Sequence, residues 1–350
     1  MEYYKRASLS LPEDFEQREV ALHTFDGVMV RHLAVSSEDE LRKLIISKRA
    51  AHVYISTASY DRPDAPRMDE KGWRRADLQF DIDVDHFEGC EGMYVICEDS
   101  VVPSKEAEGN CSKPLPIVSK HCIYRGLEEA EKLVKVLKRY FGIEESNIEV
   151  HFSGNRGFHV IARNTPYDDQ GSDVRREMVD FITGNHLNLD LCTKSNCLIP
   201  SPEDPGWRGR LGEALRRLLP SGVSTWGEVN VDPEELISKA ILIAKIDVDE
   251  QVTVDTSRLL RVPGSLHGKS GLRVTKVKGS FKYGPHLSPF YKIPIEVRSL
   301  FNMDIEVLGK RINLKKDERA ELDGAIAVFL ATKSLVEIIR SKRQLSYSAS

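Results

Sequence analysis

One stretch, residues 78–85, restricts the fold of this chain more than any other. It reads Leu-Gln-Phe-Asp-Ile-Asp-Val-Asp, and its apolar and polar residues alternate as they do in a β-strand. Because alternate residues of a strand share a face, Asp81, Asp83 and Asp85 would lie together on one side. Such a row of like charges is unfavourable unless a cation offsets it, and hard divalent cations prefer oxygen ligands. The stretch therefore predicts a metal-binding strand, with an acidic edge strand that faces water as the alternative.

Length, charge and the distribution of apolar residues exclude some classes of protein. The chain has 350 residues, enough for about two domains, and 41% of them are hydrophobic. Its formal net charge is −4, so a nucleic acid would have to bind through a local basic patch. No apolar run approaches the roughly 20 residues that span a bilayer, and residues 1–10 lack the apolar core of a signal peptide. We therefore expect a soluble intracellular protein without a membrane partner.

Strand-like and helix-like segments follow one another along the chain, which predicts a mixed α/β fold. The tail from residue 342 is expected to fray. The predicted helices are the N-terminal segment as far as residue 22, a capped helix that begins near residue 36, and residues 127–141, 172–183, 208–219, 233–244 and 317–340. The predicted strands are residues 28–32, 52–56, 78–85, 148–152, 158–162 and 272–277.

Two segments differ from the rest of the chain. Residues 86–126 hold four of the six cysteines and show little periodicity, so we interpret them as an inserted, loop-rich module. Residues 171–244 are mainly helical and predict a small helical subdomain. The main core then consists of residues 1–170 and 245–340. Without a secretion signal, metal ligation is a better expectation for the cysteines than disulfide bonds.

A glycine-rich turn joins two predicted strands at residues 153–159, which read Ser-Gly-Asn-Arg-Gly-Phe-His. Glycines let the backbone approach a ligand closely, and a turn can direct N–H groups at an anion. Ser153, Arg156 and His159 add a hydroxyl, a guanidinium and an imidazole, which suit the oxygens of a triphosphate. The alternative is a hairpin turn whose polar residues have no such role.

A second basic segment covers residues 256–295, which contain eight Lys or Arg residues and no Asp or Glu. It includes a glycine-rich loop, residues 261–271, that suits a phosphate or a nucleic-acid backbone. A solvated basic face is the alternative. Just before it, Asp247 and Asp249 would share a face if residues 245–249 form a strand, and they offer a third carboxylate to a two-cation site. An acidic strand and two basic loops together predict a metal-bridged nucleoside triphosphate.

These three motifs, in this order, resemble those of the catalytic small subunit of archaeal and eukaryotic DNA primases. The resemblance runs from near the N-terminus to about residue 340. Residues 80–83 are similar to that family's paired metal-binding aspartates, and residues 153–159 to its Ser-Gly-x-Arg-Gly-x-His motif. Asp249 and the segment from Arg261 to Lys269 are similar to its third block. The resemblance implies a primase fold, a two-lobed catalytic core of mixed β-sheets.

The resemblance also implies a function and its site. Short primers would be made de novo on single-stranded DNA from ribonucleoside or deoxyribonucleoside triphosphates, beside a large regulatory subunit. The protein would work in the cytoplasm of a prokaryote, near the nucleoid, or in a eukaryotic nucleus. Asp85, Asp247 and Asp255 lack a family match and are interpreted as neighbouring carboxylates. The implied ligands of two Mg²⁺ or Mn²⁺ ions are Asp81, Asp83 and Asp249, and the implied triphosphate-binding residues are Ser153, Arg156, His159, Arg261, His267 and Lys269.

The cysteines depart from the family pattern. Primase small subunits carry a zinc knuckle shortly after the paired aspartates, often with a Cys-x-x-Cys pair, and this chain has no such pair. The position of the module still predicts a structural zinc ion. Cys192 and Cys197 are interpreted as ordinary thiols. The predicted zinc ligands are Cys90, Cys97, Cys111 and Cys122, with His121 or His86 as substitutes.

Two other functions remain open on the sequence. One is a primase-like polymerase of DNA repair or end joining, which has the same three motifs. The other is a non-catalytic, zinc-stabilised subunit that binds nucleic acid. Clustered carboxylates repel phosphates, so Asp81, Asp83 and Asp249 disfavour the second. An Asp83→Ala variant separates them, because a binder would keep its affinity for DNA and a polymerase would lose synthesis.

Overall fold

The computed structural model describes residues 1–341, and both helices and strands occur throughout them, which confirms the mixed α/β class. The α-helices are α1 (Glu38–Ser47), α2 (Lys120–Phe141), α3 (Ser172–Thr183), α4 (Gly206–Leu218), α5 (Pro233–Ala244), α6 (Glu250–Val254) and α7 (Gly324–Ala331). The strands are β1 (Arg18–Thr24), β2 (Met29–Leu33), β3 (Ala50–Tyr60), β4 (Trp73–Ala76), β5 (Leu78–Asp83), β6 (Tyr94–Cys97), β7 (Ser100–Pro103), β8 (Ile148–Phe152), β9 (Gly157–Ala162), β10 (Leu259–Arg261), β11 (Thr275–Lys276), β12 (Pro294–Ser299), β13 (Asn302–Val307), β14 (Lys310–Leu314), β15 (Arg319–Asp323) and β16 (Val336–Ser341).

The acidic strand β5 lies at one edge of a sheet with the order β11-β8-β9-β5. The predicted hairpin of β8 and β9 is present and antiparallel. Helix α2 packs against β5 and β9. It approaches so closely that a Cβ atom on Gly126 would lie 2.4 Å from a methyl carbon of Val84. The helix begins earlier than predicted, after the cap Ser119, and ends as predicted at Gly142, which has a φ of +65°.

A second sheet has the order β10-β3-β1-β2, with β4 paired to β3. The predicted helix over residues 18–22 is wrong, because this segment belongs to β1, between β2 and β3. Val20, Ala21 and Leu22 are all fully buried. A strand that is buried on both faces shows no alternation, so its periodicity resembles that of a buried helix.

The chain crosses between these two sheets at the basic loop. Strand β10 pairs with β3 in one sheet, and β11 pairs with β8 in the other. Residues 262–274 connect them and therefore lie where the sheets meet. Of the predicted strand over residues 272–277, only Thr275–Lys276 forms a regular strand. Residues 245–249 do not form the strand considered above but an irregular segment that leads into α6.

The predicted helix over residues 317–340 is also wrong, because the segment forms β15, α7 and β16. The carboxylate of Asp323 caps α7 by accepting a hydrogen bond from the Ala325 N–H at 2.9 Å. Ser334 then turns the chain with a φ of +57°. The β-branched residues Val336, Ile338 and Ile339 follow, and they favour a strand, which pairs with β12. The tail from residue 342 lies outside the described residues.

The helical segment has an apolar core of its own, to which α4 and α5 contribute Trp207, Leu211, Leu236 and Ala240. The helices predicted at 172–183, 208–219 and 233–244 are confirmed by α3, α4 and α5. The domain boundaries drawn from the sequence stay a prediction. Among residues 1–341, no helix combines the length and the apolar character that crossing a bilayer requires.

The cysteine-rich module contains more regular structure than predicted. Strands β6 and β7 pair with each other, and β7 runs parallel to β13 in the sheet β14-β13-β7-β6. The cysteines form three disulfides, Cys90–Cys122, Cys97–Cys111 and Cys192–Cys197. Each sulfur is bonded to its partner, so no thiolate remains for zinc. This corrects the zinc site predicted on the first four cysteines with His121 or His86, and the free thiols predicted at Cys192 and Cys197.

Candidate active site

The acidic strand and its neighbour build the first wall of the site. In the antiparallel pair of β5 and β9, Asp81 lies opposite His159 and Asp83 lies opposite Gly157. The carboxylate Oδ1 of Asp81 is 3.6 Å from Nε2 of His159. The side-chain amide of Gln79 donates a hydrogen bond to the same Oδ1 at 3.1 Å. Strand pairing therefore sets the direction of Asp81, as the alternation of the sequence predicted.

The strand ends at Asp83, so Asp85 lies in the short 3₁₀ turn Val84–His86 rather than on the strand face. The turn brings Asp85 and His86 back towards Asp83. One possible ligand atom from each of these three residues lies within 4.8 Å of the others. Oδ1 of Asp85 is buried and has no hydrogen-bond partner. Such a donor set suits a divalent cation. Within the described residues it shares only Asp83 with the predicted set of Asp81, Asp83 and Asp249.

Asp83 carries the charge that most needs a cation. Its side chain reaches solvent, yet the surrounding protein atoms remove much of its hydration, and this desolvation raises the pKa of its carboxyl group above the ordinary value. Repulsion from Asp81 and Asp85 raises it further, and attraction from Arg156 partly opposes the rise. A cation bound here would lower the pKa of these carboxyl groups and keep the carboxylates ionised.

Asp249 lies beside the acidic strand but differs from the two strand aspartates. Its backbone N–H donates a hydrogen bond to the carbonyl oxygen of Asp81 at 2.9 Å. Its carboxylate caps α6 by accepting from the N–H of Gln251 at 3.0 Å. The hydroxyl of Thr253 donates to the carbonyl of Gln79 at 2.7 Å, which fixes α6 against β5. In residues 1–341, neither Asp249 nor Asp81 is part of the Asp83, Asp85 and His86 group.

The glycine-rich turn closes over the acidic strand. A Cβ atom on Gly157 would lie 2.4 Å from the carbonyl oxygen of Ile82 and 2.6 Å from Oδ1 of Asp83, so only glycine fits. Nη2 of Arg156 lies 3.0 Å from Oδ2 of Asp85. The ion pair ties the turn to the acidic group and leaves the rest of the guanidinium for a ligand.

The basic loop provides the opposite wall. The hydroxyl of Ser270 donates to the carbonyl oxygen of Gly154, which joins this loop to the glycine-rich turn. The N–H of Gly271 donates to the carbonyl of His267 at 2.8 Å and closes the loop. The guanidinium of Arg261 lies 5.4 Å from the ring centroid of Tyr54 on β3. Two segments more than 100 residues apart in the sequence are thereby held together.

Two buried histidines of the cleft, His159 and His267, are neutral near pH 7. Burial lowers the pKa of His159, although Asp81 opposes the shift. Burial and the charge of Arg261 hold the pKa of His267 well below its usual range. Nδ1 of His267 lies 3.2 Å from the N–H of Lys269 and accepts from it, so the proton is on Nε2. His267 can therefore donate a hydrogen bond to a ligand through Nε2.

His52 supports this arrangement and was not singled out in the sequence. Its ring centroid lies 4.8 Å from that of His267 in an edge-to-face contact, and burial, chiefly, lowers its pKa to about 4. Lys333 was also missed. Its ammonium donates to the carbonyl of Lys269, and burial together with Arg156 and Lys269 lowers its pKa to about 8. Neither residue lies in a motif, and only the fold brings them to the loop.

All of the predicted aspartate and triphosphate residues except Asp249 line one cleft of about 200 Å³. The carboxylates of β5 lie beside His159 of β9, and the glycine-rich turn and the basic loop add cations and the imidazole of His267. This combination suits a metal-bridged polyphosphate. Pro116 reaches the cleft from the cysteine-rich module and carried no sequence signal. The lining residues are Asp81, Asp83, Pro116, Ser153, Asn155, Arg156, His159, Arg261, His267 and Lys269.

Known proteins of one family are similar to this chain over most of its length. The model of the DNA primase small subunit family matches residues 80–278, which contain every residue of the cleft. The small subunit PriS of the DNA primase from Hyperthermus butylicus is 36% identical over 95% of this chain and 93% of its own length. The PriS proteins of Sulfolobus acidocaldarius and Saccharolobus solfataricus are 35% and 34% identical, over 95% and 96% of this chain and 91% and 92% of their own lengths.

Proposed function

Because the chain belongs to the DNA primase small subunit family, we propose that it is the catalytic subunit of a DNA primase. It makes short primers de novo on single-stranded DNA from nucleoside triphosphates. The observation that supports this most directly is the single cleft in which the two strand aspartates face the basic residues of two distant loops. A protein that only binds nucleic acid has no use for carboxylates at that position, since they repel phosphates.

Carboxylates of this chain would hold the metal ions of the reaction. Asp81 and Asp83, with Asp249 beside them, offer oxygen ligands for two Mg²⁺ or Mn²⁺ ions, and the buried, unpartnered Oδ1 of Asp85 fits the same donor chemistry. When bound, the ions supply positive charge at the attacking 3′-hydroxyl and at the leaving pyrophosphate. The residues keep their ligand atoms in place through strand pairing and through the cap of α6.

The basic and neutral polar side chains of the cleft would bind the triphosphate. Arg156, Lys269 and Arg261 offer cationic donors, and charge-assisted hydrogen bonds to phosphate are stronger than neutral ones. Ser153 and the neutral imidazoles of His159 and His267 add hydrogen bonds without repelling the cationic side chains. These side chains would orient the α-phosphate towards the acidic strand, and proximity of this kind lowers the barrier to transfer.

We also propose the partners that the family suggests. These are a large regulatory subunit that forms a heterodimer with this chain, a single-stranded DNA template, and ribonucleoside or deoxyribonucleoside triphosphates. As a replication protein like its archaeal relatives, the chain would act in the cytoplasm, close to the nucleoid.

The test is primer synthesis without a supplied primer. Purified protein receives a single-stranded DNA template, labelled nucleoside triphosphates and Mg²⁺ or Mn²⁺, beside the double variant Asp81→Ala, Asp83→Ala. Short products are expected from the wild type, with at least a ~100-fold loss in the variant, because the metal ligands are gone. Asp247→Ala is the matched control, since Asp247 is exposed and, in the described part of the chain, forms an ion pair with Lys245 alone, at 3.2 Å.

Other outcomes would redirect the proposal. Products only from a supplied primer, even with the large subunit added, would favour a primase-like polymerase of repair or end joining. No extension of any primer, with DNA binding kept in the double variant, would favour a non-catalytic subunit and contradict the proposed function.

A further inference from the structure

A buried lysine supports the basic loop from behind. Lys333 follows α7 and is only 8% exposed. Its ammonium donates a hydrogen bond to the backbone carbonyl oxygen of Lys269, a residue that lines the cleft. The hydroxyl oxygen of Thr332 lies 2.9 Å from the same carbonyl. The end of α7 therefore holds the loop at the residue whose side chain faces the cleft.

The charge of this lysine has no anionic partner in the described part of the chain. No carboxylate of residues 1–341 lies within ion-pair distance of it. The ring of Phe329 lies next to it, with its centroid 4.6 Å from the ammonium. Arg156 and Lys269 are the charged groups that act on it most strongly, and both are cations. A buried ammonium among cations is unfavourable unless an anion compensates for it.

We propose that Lys333 is a positioning residue for the triphosphate, which holds Lys269 in place and adds positive charge that the bound polyphosphate neutralises. This inference rests on the proposed function, because it assumes that the cleft binds a nucleoside triphosphate. The lowered pKa of Lys333 agrees with it, since the free protein gives the ammonium no anion. A lysine that served only packing would be better replaced by an apolar residue.

If Lys333 serves the triphosphate, its loss should weaken nucleotide binding without lowering the stability of the fold. Lys333→Met keeps the volume and removes the charge. It should weaken the binding of ATP with Mg²⁺ by about tenfold, because Lys269 is no longer held in place and a positive charge behind the loop is lost. The binding of AMP, which lacks the β- and γ-phosphates, should change much less. The melting temperature should stay the same or rise, because an uncompensated buried charge is gone.

Three variants test it by isothermal titration calorimetry and thermal unfolding of the full chain. Lys333→Arg retains the charge and should bind ATP nearly as well as the wild type. Lys310→Met, at an exposed lysine of β14 that does not line the cleft, is the matched control and should change neither quantity. In the synthesis assay, Lys333→Met should raise the KM for nucleotides more than it lowers kcat.

Several results would overturn the inference or the proposed function on which it rests. Equal ATP affinity in Lys333→Met and the wild type would overturn the inference, as would equal losses for ATP and AMP. A lower melting temperature in Lys333→Met would show that the lysine serves the fold. Equal weakening in Lys333→Arg and Lys333→Met would show that shape matters rather than charge. A wild type that binds no ATP would instead contradict the proposed function itself.

Discussion

At the scale of single residues, the site depends on contacts that leave no spare room. Gly157 lies opposite Asp83, and the backbone of β9 passes so close that a methyl group would meet both Asp83 and the carbonyl of Ile82. A glycine in the turn motif is therefore needed for the approach of two strands as well as for ligand binding. The carboxylate of Asp83 has its position because nothing larger than hydrogen occupies that place.

Gly157→Ala should displace Asp83. We expect a loss of about 1–3 kcal/mol in the free energy of unfolding, typical of overpacking, and a fall in primer synthesis of at least ~10-fold. Urea unfolding and the synthesis assay measure the two effects. Gly171→Ala is the control, since its Cβ would meet nothing within 4 Å and its cost should stay at or below ~1 kcal/mol with full synthesis. Full synthesis in Gly157→Ala would show that Asp83 tolerates the shift.

Buried histidines should make the protein sensitive to acid. The pKa of His52 is about 4 in the folded state, below the ordinary 6.5. As pH falls from 6.5 towards 4, the unfolded chain binds a proton at His52 that the folded protein does not, so stability falls over this window. The full difference is roughly 3 kcal/mol for this one group. Above pH 7 both states are neutral here, and His52 adds no pH dependence.

His52→Gln should reduce this sensitivity, because it removes the titrating ring and keeps an acceptor for the N–H of Gly268. The measurement is urea unfolding of wild type and variant from pH 7.5 to pH 4.5. We expect the variant to lose less free energy of unfolding on acidification than the wild type. His159 and His267 still titrate, so some sensitivity should remain. If the free energy of unfolding fell equally with pH in both proteins, His52 would not be a source of the acid sensitivity.

At the scale of elements, short α6 does two things at once. Its cap is Asp249, whose backbone contacts Asp81 and whose side chain accepts from Gln251. A carboxylate that caps a helix is held in one direction, and it still has a second oxygen for a metal ligand. Helix α6 therefore places the third aspartate beside the edge of β5. The strand considered for residues 245–249 would instead have placed it on a strand face.

Two substitutions of Asp249 separate capping from chemistry. Asn is as good a cap as Asp, so Asp249→Asn should leave the free energy of unfolding nearly unchanged, whereas Asp249→Ala should cost about 1 kcal/mol. Primer synthesis should be lost in both, because both remove the charged ligand. Synthesis at the wild-type level in Asp249→Asn would show that Asp249 is only a cap.

The prediction of secondary structure from sequence failed where a segment is buried on all sides, because the apolar residues then show no periodic pattern. The helices α2, α3 and α5 show an apolar stripe, caps or a terminal glycine, and these signals depend on residues a few positions apart. Strand β1 is buried on both faces and gives no alternation. At residues 317–340, a segment predicted as one helix with an apolar face forms a short helix between two strands, and only pairing with β12 distinguishes the strands from the helix.

At the scale of the whole molecule, disulfides tie separate elements together. Cys90–Cys122 joins the start of the cysteine-rich module to α2 across 32 residues, and Cys192–Cys197 closes a separation of 5 residues. In the chain-entropy view, a cross-link stabilises by restricting the unfolded chain, and the effect grows with loop length. The longer link should therefore matter more to stability than the shorter one.

Paired alanine variants test this. Cys90→Ala with Cys122→Ala should lower the free energy of unfolding by about 3.5 kcal/mol, and Cys192→Ala with Cys197→Ala by about 2 kcal/mol. Urea unfolding gives the two values. Thiol titration of the unreduced, denatured wild type should find no free thiol. Free thiols together with bound zinc would mean that the cysteines are metal ligands and that the pairing described here is wrong.

The amino-acid sequence by itself determined the chemistry that the cleft can carry. The alternation at residues 78–83, the turn at 153–157 and the glycines around His267 are local patterns, set by residues within one strand or one loop. Local sterics and side-chain alternation suffice to direct these side chains, so the acidic wall and both basic loops were predicted before any fold was known.

Only the tertiary structure decided which distant groups act on that cleft. The positions of His52, Pro116 and Lys333 depend on contacts between segments tens to hundreds of residues apart, and no local pattern records them. The same holds for the pairing of cysteines and for the return of Asp85 and His86 towards Asp83. Contact between distant segments follows from how the sheets and helices pack, and that packing is a property of the whole chain rather than of any one stretch.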